Sequence, residues 1–209
     1  SEEAARRDPD NLLLSRMPLR RLDAEALYDS ILRATGRLDP TPFGEPDPVE
    51  VLASGEIVVK SAKKGRRRAI YILRRRKTPV TLLDVFDLPQ LNPNCTLRGL
   101  STVATQALQI RNGETVRGHA RFLAGRLMDQ HPRNAGEQID QLYLRILTRL
   151  PTTQERAQAF EALKKLIRQW RNHLEAEDQD APRGAAAEWS ALGSLAHALL
   201  SSAEFLYVD

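Results

Sequence analysis

The strongest constraint on this chain is a near-continuous series of helical signals across its second half. Ser101 can cap STVATQALQI, and Asn112-Gly113 breaks the chain before ETVRGHARFLAGRLMDQ. His131-Pro132 ends that helix, and GEQIDQLYLRILTR begins the next. Thr152 and Glu155 stand at capping-box spacing, which predicts a long helix running to about Glu177. Its apolar stripe (Phe160, Leu163, Leu166, Ile167, Trp170) recurs at helical spacing and reads as core. A polar linker at residues 178–184 separates it from a last helix, AAAEWSALGSLAHALLSSAEF.

The first half is less regular. NLLLSRM fits either a helical turn or a buried extended piece. A helix follows, with Asp23 as N-cap, Glu25 and Asp29 in its first turns and Gly36 as a left-handed cap. Residues 37–55 hold Pro40, Pro42, Pro46 and Pro48 and predict a long irregular connection. GEIVVK and RRAIYILRR then read as a β-hairpin turning at AKKG, the second strand apolar on both faces at its centre. Thr78-Pro79 opens a short helix containing Leu82, Leu83, Val85 and Phe86. The expected fold class is mainly α (α+β), with six to seven helices and a small β-hairpin. Residues 1–209 are expected to form a single domain. The alternative is a division into a hairpin-containing half, 1–112, and a helical half, 113–209.

Aromatic residues make up 5% of the 209 residues, so the core must be built mainly from Leu, Ile, Val and Ala. No apolar run reaches the roughly 20 residues that cross a bilayer. The single cysteine, Cys95, excludes an intrachain disulfide, a CxxC motif and a cysteine-based zinc site. The net charge of +4 conceals an uneven distribution. Residues 60–77 carry ten basic side chains and no acidic one, while the rest of the chain carries 21 basic and 27 acidic residues.

The centre of that segment is RRRAIYILRRR, residues 66–76. Its arginines, Arg66, Arg67, Arg68, Arg74, Arg75 and Arg76, are the candidate partner-binding residues, because the guanidinium fork suits carboxylates, sulfates and phosphates. The bland reading is a strand whose charged ends emerge into water. No helix-turn-helix, zinc-finger or RNP-like pattern supports base recognition, so nucleic acid is not the expected partner.

Cys95 would need a base or a positive field to act as a nucleophile, and Arg98 is the nearest cation in sequence. A small side chain in a tight irregular segment is the simpler reading. Asp84 and Asp87 frame VF, and Asp87 is expected to cap backbone groups or to pair with an arginine such as Arg98. His119, His131, His173 and His197 have no metal-ligand spacing, and His197 reads as a helix residue with a local hydrogen bond. No catalytic residue and no metal ligand are assigned.

Several stretches together resemble a known family. RMPLRRLDAEALYDSIL, RRRAIYILRRR, FDLPQLNPNCTLRGLSTVATQALQIRN and the terminal SSAEFLYVD are similar to a planctomycete domain of unknown function, the PSD-one family. The matching residues include Arg20, Arg21, Asp23, Glu25, Arg67, Arg75, Asp87, Cys95, Arg98, Ser101, Thr102, Gln106, Glu204 and Phe205. Family members usually carry a proline at the position of Thr105, and often paired glycines where this chain has Phe43-Gly44. The resemblance implies the C-terminal part of a larger domain in secreted, cytochrome c-type multidomain proteins. It carries no catalytic residues, and any haem would belong to an upstream domain.

The resemblance further implies a secreted or cell-envelope setting, and the absence of a catalytic constellation, the helix-dominated packing and the one concentrated basic face point to a non-catalytic interaction or scaffolding role. Partners would be other domains of the parent protein, an acidic protein or an acidic glycan. An accessory role in a cytochrome-linked redox or polysaccharide-degrading enzyme, and polyanion binding by the basic hairpin, are the alternatives. The matched charges are expected to form internal Arg–carboxylate pairs, with Arg67 and Arg75 foremost.

Overall fold

The computed structural model describes residues 2–15, 17–60, 66–90, 95, 98–99, 101–177 and 183–208. Helix α1 (Glu2–Arg7) precedes strand β1 (Arg20–Arg21) and helix α2 (Ala24–Thr35). Strands β2 (Val49–Val51) and β3 (Ile57–Val59) form a hairpin, and a 3-10 turn occupies Ala69–Tyr71. Helices α3 (Thr81–Val85), α4 (Ala104–Asn112), α5 (Glu114–Gln130), α6 (Ala135–Leu147), α7 (Thr153–Glu177), α8 (Arg183–Leu200) and α9 (Ala203–Leu206) follow, and strand β4 (Tyr207–Val208) is last. The fold is mainly α with small antiparallel β pairs, as expected.

The core is an aliphatic cluster that reaches from Ala24 on α2 to Phe205 on α9. Leu27, Tyr28, Ile31 and Leu32 supply the α2 face, and Val116, Ala120, Leu123, Ala124 and Leu127 the α5 face. Among the described elements, the α5–α8 and α7–α8 contacts are the most extensive. Small side chains let α5 and α8 approach closely. A Cβ added at Gly193 would lie 3.4 Å from the Cα of Arg121. Trp189 Nε1 donates to the Arg121 carbonyl at 2.9 Å across the same interface. Trp170, on α7, donates to Ser194 Oγ on α8 at 3.0 Å, so it is part of the core edge.

Local signals place the helix ends well. Gly36 adopts φ 72° and closes α2. That end is sealed by Arg126 of α5, whose Nη1 donates to the Gly36 carbonyl at 3.3 Å. A Cβ on Gly36 would sit 1.7 Å from that nitrogen. The α7 capping box is present: Thr152 N donates to Glu155 Oε2 at 2.8 Å, and Glu155 N to Thr152 Oγ1 at 3.2 Å.

Other ends differ from expectation. Asp23 is the α2 N-cap residue by position, but its side chain makes no cap bond. The short helix α3 starts at Thr81 rather than Pro79, and α4 at Ala104 rather than after Ser101. His197 hydrogen-bonds at 2.8 Å to the Ile110 carbonyl, on α4, so its contact is between elements. Within NLLLSRM, residues 11–14 form a turn in which Asp8 accepts from Leu12 N (2.7 Å) and Leu13 N (3.0 Å), leaving Leu12, Leu13 and Leu14 exposed. The linker reading falls largely on residues 178–182, outside the described residues.

The hairpin requires a correction. Strand β3 pairs with β2, with Val49 opposite Val59 and Val51 opposite Ile57, and not with residues 67–75. The proposed AKKG turn lies outside the described residues. Residues 66–76 instead run past the irregular connection through two isolated parallel bridges, Leu38 to Arg66 and Asp47 to Ile72. Between them the chain makes its 3-10 turn, and Ala69 and Ile72 go inward while Ile70 is 77% exposed. Asp29 on α2 explains the turn. Its carboxylate accepts from Ala69 N at 2.7 Å and from Arg68 Nε at 2.8 Å, holding the backbone out of extended geometry.

Candidate functional site

The basic segment divides into an occupied part and an open part. Arg66 is held inside: Nε donates to the Val59 carbonyl at 3.1 Å, and Nη1 lies 3.2 Å from His119 Nε2. Because a guanidinium can only donate, Nε2 accepts and the ring proton sits on Nδ1. His119 is 1% exposed, and Nδ1 has no partner among the described residues. Burial, with the charges of Arg66 and Arg37, holds the His119 pKa down at about 3, so the ring is neutral near pH 7.

Arg67 clamps the proline-rich connection. Nε and Nη2 donate to Asp47 Oδ1 at 2.8 and 2.6 Å, Nη1 to the Phe43 carbonyl at 2.5 Å, and Nη2 also to the Glu45 carbonyl. The guanidinium lies 4.8 Å from the Tyr71 ring centroid. Arg68 pairs with Asp29, and Arg74 donates to the Pro89 carbonyl.

Arg75, Arg76 and Lys77 are exposed, and their side chains have no ion pair or hydrogen bond among the described residues. The expected internal pairing of Arg75 is therefore corrected, and that of Arg67 is present as the Asp47 pair. Arg75 and Arg76 rim a groove of about 320 Å³ between the segment and α3. Ile72, Leu73, Val80, Leu83, Leu88 and Pro89 provide its apolar surface, and Arg74 and Asp84 share the rim.

Two of the other family-motif charges, Arg21 and Asp87, anchor a second network. Arg21 donates to Asp87 Oδ2 at 2.7 Å and lies 5.0 Å from the Phe86 ring centroid. Asp87, at φ 65°, also accepts from Ser101 N and Ser101 Oγ, both at 2.8 Å. Gln106 Nε2 completes the ring at 3.1 Å from Ser101 Oγ. Burial opposes ionisation of Asp87. The Ser101 bonds, the Arg21 charge and Gln106 outweigh it and hold the carboxyl below its ordinary range.

Asp87 thus pairs with Arg21, not with Arg98. Arg98 takes Glu25 in a two-point bond at 2.9 and 2.7 Å, with Asp23 3.6 Å away. Burial disfavours the Glu25 anion, but Arg98, with a backbone N–H and the charge of Arg74, more than compensates and lowers its pKa. Glu204 joins Arg149, which also binds Glu155; the Arg149 bond, with the Thr152 N–H and hydroxyl, carries the Glu155 pKa down to about 2.

Arg20 and Thr102 are exposed, and Phe205 is buried. Cys95 is exposed. Sequence reasoning missed Asp29, Asp47 and Arg149 as partners, because their contacts lie across 39, 20 and 55 residues respectively. It also missed Glu56, which accepts from Glu114 N at 2.7 Å at the start of α5, where a carboxylate complements the helix dipole. Among the described residues, no group of three or more His, Cys, Asp or Glu could hold a metal ion, and no helix is long and apolar enough to cross a membrane.

No curated protein and no solved structure matches the chain. A family model does: PSD1, a protein of unknown function (DUF1553), matches residues 1–163. The match takes in the basic segment, the groove and the Arg21–Asp87 network; SSAEFLYVD falls beyond it but is tied in by β1, where Arg21 pairs with Tyr207. The chain belongs to the PSD1 family of proteins of unknown function (DUF1553).

Proposed function

We propose that this domain is a non-catalytic interaction module of a larger exported protein, and that its contact point is the corner formed by Arg75, Arg76 and Lys77. The observation that carries the reading is the division of the basic segment. Arg66, Arg67, Arg68 and Arg74 are engaged within the fold, whereas Arg75, Arg76 and Lys77 are exposed beside a groove. An exposed cationic corner in the segment that holds the chain's whole basic excess, residues 60–77, steers an anionic partner to one place. The resemblance to domains of exported, cytochrome-bearing planctomycete proteins supports the setting. A neighbouring domain of the same parent protein or a separate acidic protein fits it equally.

Cation-exchange chromatography tests the contact point. The wild-type chain is expected to be retained on a sulfopropyl resin at pH 7, and Arg75→Gln/Arg76→Gln/Lys77→Gln to elute at markedly lower salt. Elution of both at the same salt would remove this corner as the binding surface.

A further inference from the structure

We infer that the groove beside Arg75 and Arg76 takes an acidic peptide that carries one apolar anchor side chain, and discriminates against glycans and nucleic acids. The inference rests on the interaction-module reading and adds the chemistry of the partner. Two features of the groove have to be matched together. Its lining is about half apolar, from Ile72, Leu73, Val80, Leu83, Leu88 and Pro89, and the polar remainder includes Gln90, Asp84 and the cations of Arg74, Arg75 and Arg76.

A sulfated glycan or a phosphodiester backbone answers the rim but leaves the apolar wall facing polar groups. A peptide answers both. Its carboxylates meet the planar guanidinium forks, and a Leu-sized side chain enters the groove. The volume of about 320 Å³ lies at the small end of ligand sites, which suits one anchor and its flanking backbone.

Charge complementarity also sets an orientation. Arg75 and Arg76 have no carboxylate partner among the described residues, so they meet an acidic ligand with their charge uncompensated. Asp84, the acidic residue on the rim, repels a carboxylate placed at its end. The acidic residues of the peptide therefore lie toward Arg75 and Arg76, and the anchor lies over Leu73 and Leu88.

Fluorescence polarisation with the full chain tests this. The first probe is a labelled peptide with one leucine flanked on each side by aspartates, and the second is the same peptide with serine for leucine. The third is a labelled heparin oligosaccharide. The leucine peptide is expected to bind on the order of tenfold tighter than the serine peptide, from the apolar area its side chain buries. Arg75→Gln/Arg76→Gln should abolish binding of both peptides. Leu73→Gln should erase the difference between them while leaving the serine peptide's affinity unchanged.

Equal affinity of the two peptides, still dependent on Arg75 and Arg76, would overturn the anchor inference and leave the contact point standing. So would tighter binding of heparin than of the leucine peptide through the same arginines. No probe bound in an Arg75- and Arg76-dependent way would overturn both. The central comparison uses one protein and two peptides, so it does not depend on how a variant folds.

Discussion

Replacing Asp87 by alanine is expected to lower the unfolding free energy by about 3–5 kcal/mol, the range for removing one partner of a buried ion pair. Arg21 is the reason. Its side chain is 5% exposed, and the short strand β1 fixes its backbone against β4. Without Asp87 the guanidinium keeps, among the described residues, only the Leu22 carbonyl at 3.3 Å and the face of Phe86, and its Nε has no partner there even in the native network.

Ser101 loses both its backbone and its side-chain acceptor in the same substitution, so the closure between residues 87 and 101 weakens too. Alanine is also strained at φ 65°, by about 1–2 kcal/mol. Asp87→Asn tolerates that backbone and keeps an acceptor, and should cost distinctly less. Urea unfolding of both variants measures the difference. A loss below about 1 kcal/mol for Asp87→Ala would mean that Arg21 is not held by this pair.

The second large effect is a pH dependence set by His119. The folded ring has a pKa of about 3 and the unfolded side chain about 6.5, so the unfolded state binds the extra proton between those values. Stability must then rise with pH across this window, or equivalently fall as the pH is lowered from about 6.5. One proton corresponds to a slope of about 1.4 kcal/mol per pH unit. The carboxylates with lowered pKa values act separately. Their contribution is complete above the unfolded value near 4 and is lost as the pH falls below it.

His119→Gln preserves an acceptor for Arg66 and removes the titration. Its stability should be flat between about pH 6.5 and pH 5 relative to the wild type, measured by urea unfolding at a series of pH values. A wild-type profile with no slope there would mean that His119 is protonated in the fold.

What was legible in the sequence follows from the range of the interactions involved. Gly36, the Thr152 capping box and the helices α5, α6 and α7 are decided by neighbours within a few residues, and each was placed correctly. The conformation of residues 66–76 is decided elsewhere. Alternation in AIYIL suggested a strand, but Asp29 on α2 caps the segment into a turn and Asp47 grips it through Arg67.

The choice of arginine partners was equally opaque. Asp87 had Arg98 eleven residues away, yet the fold brings it Arg21 across 66 residues and gives Arg98 to Glu25 across 73. That Arg–carboxylate pairs would hold this region followed from the charged residues that match the family, whereas their matching depends on the tertiary path. A palindrome in sequence, three arginines on each side of AIYIL, becomes an asymmetric structure. One end is tied down and the other mostly exposed.

Thermal melting of two triple variants tests that asymmetry most directly. Arg66→Gln/Arg67→Gln/Arg68→Gln removes the contacts to His119, Asp47 and Asp29, and Arg75→Gln/Arg76→Gln/Lys77→Gln removes none among the described residues. The account predicts a fall in Tm of roughly 10 °C for the first, at a few degrees per kcal/mol for a chain of this size, and a change within about 2 °C for the second. Equal destabilisation by both, or a larger loss from the second, would contradict it.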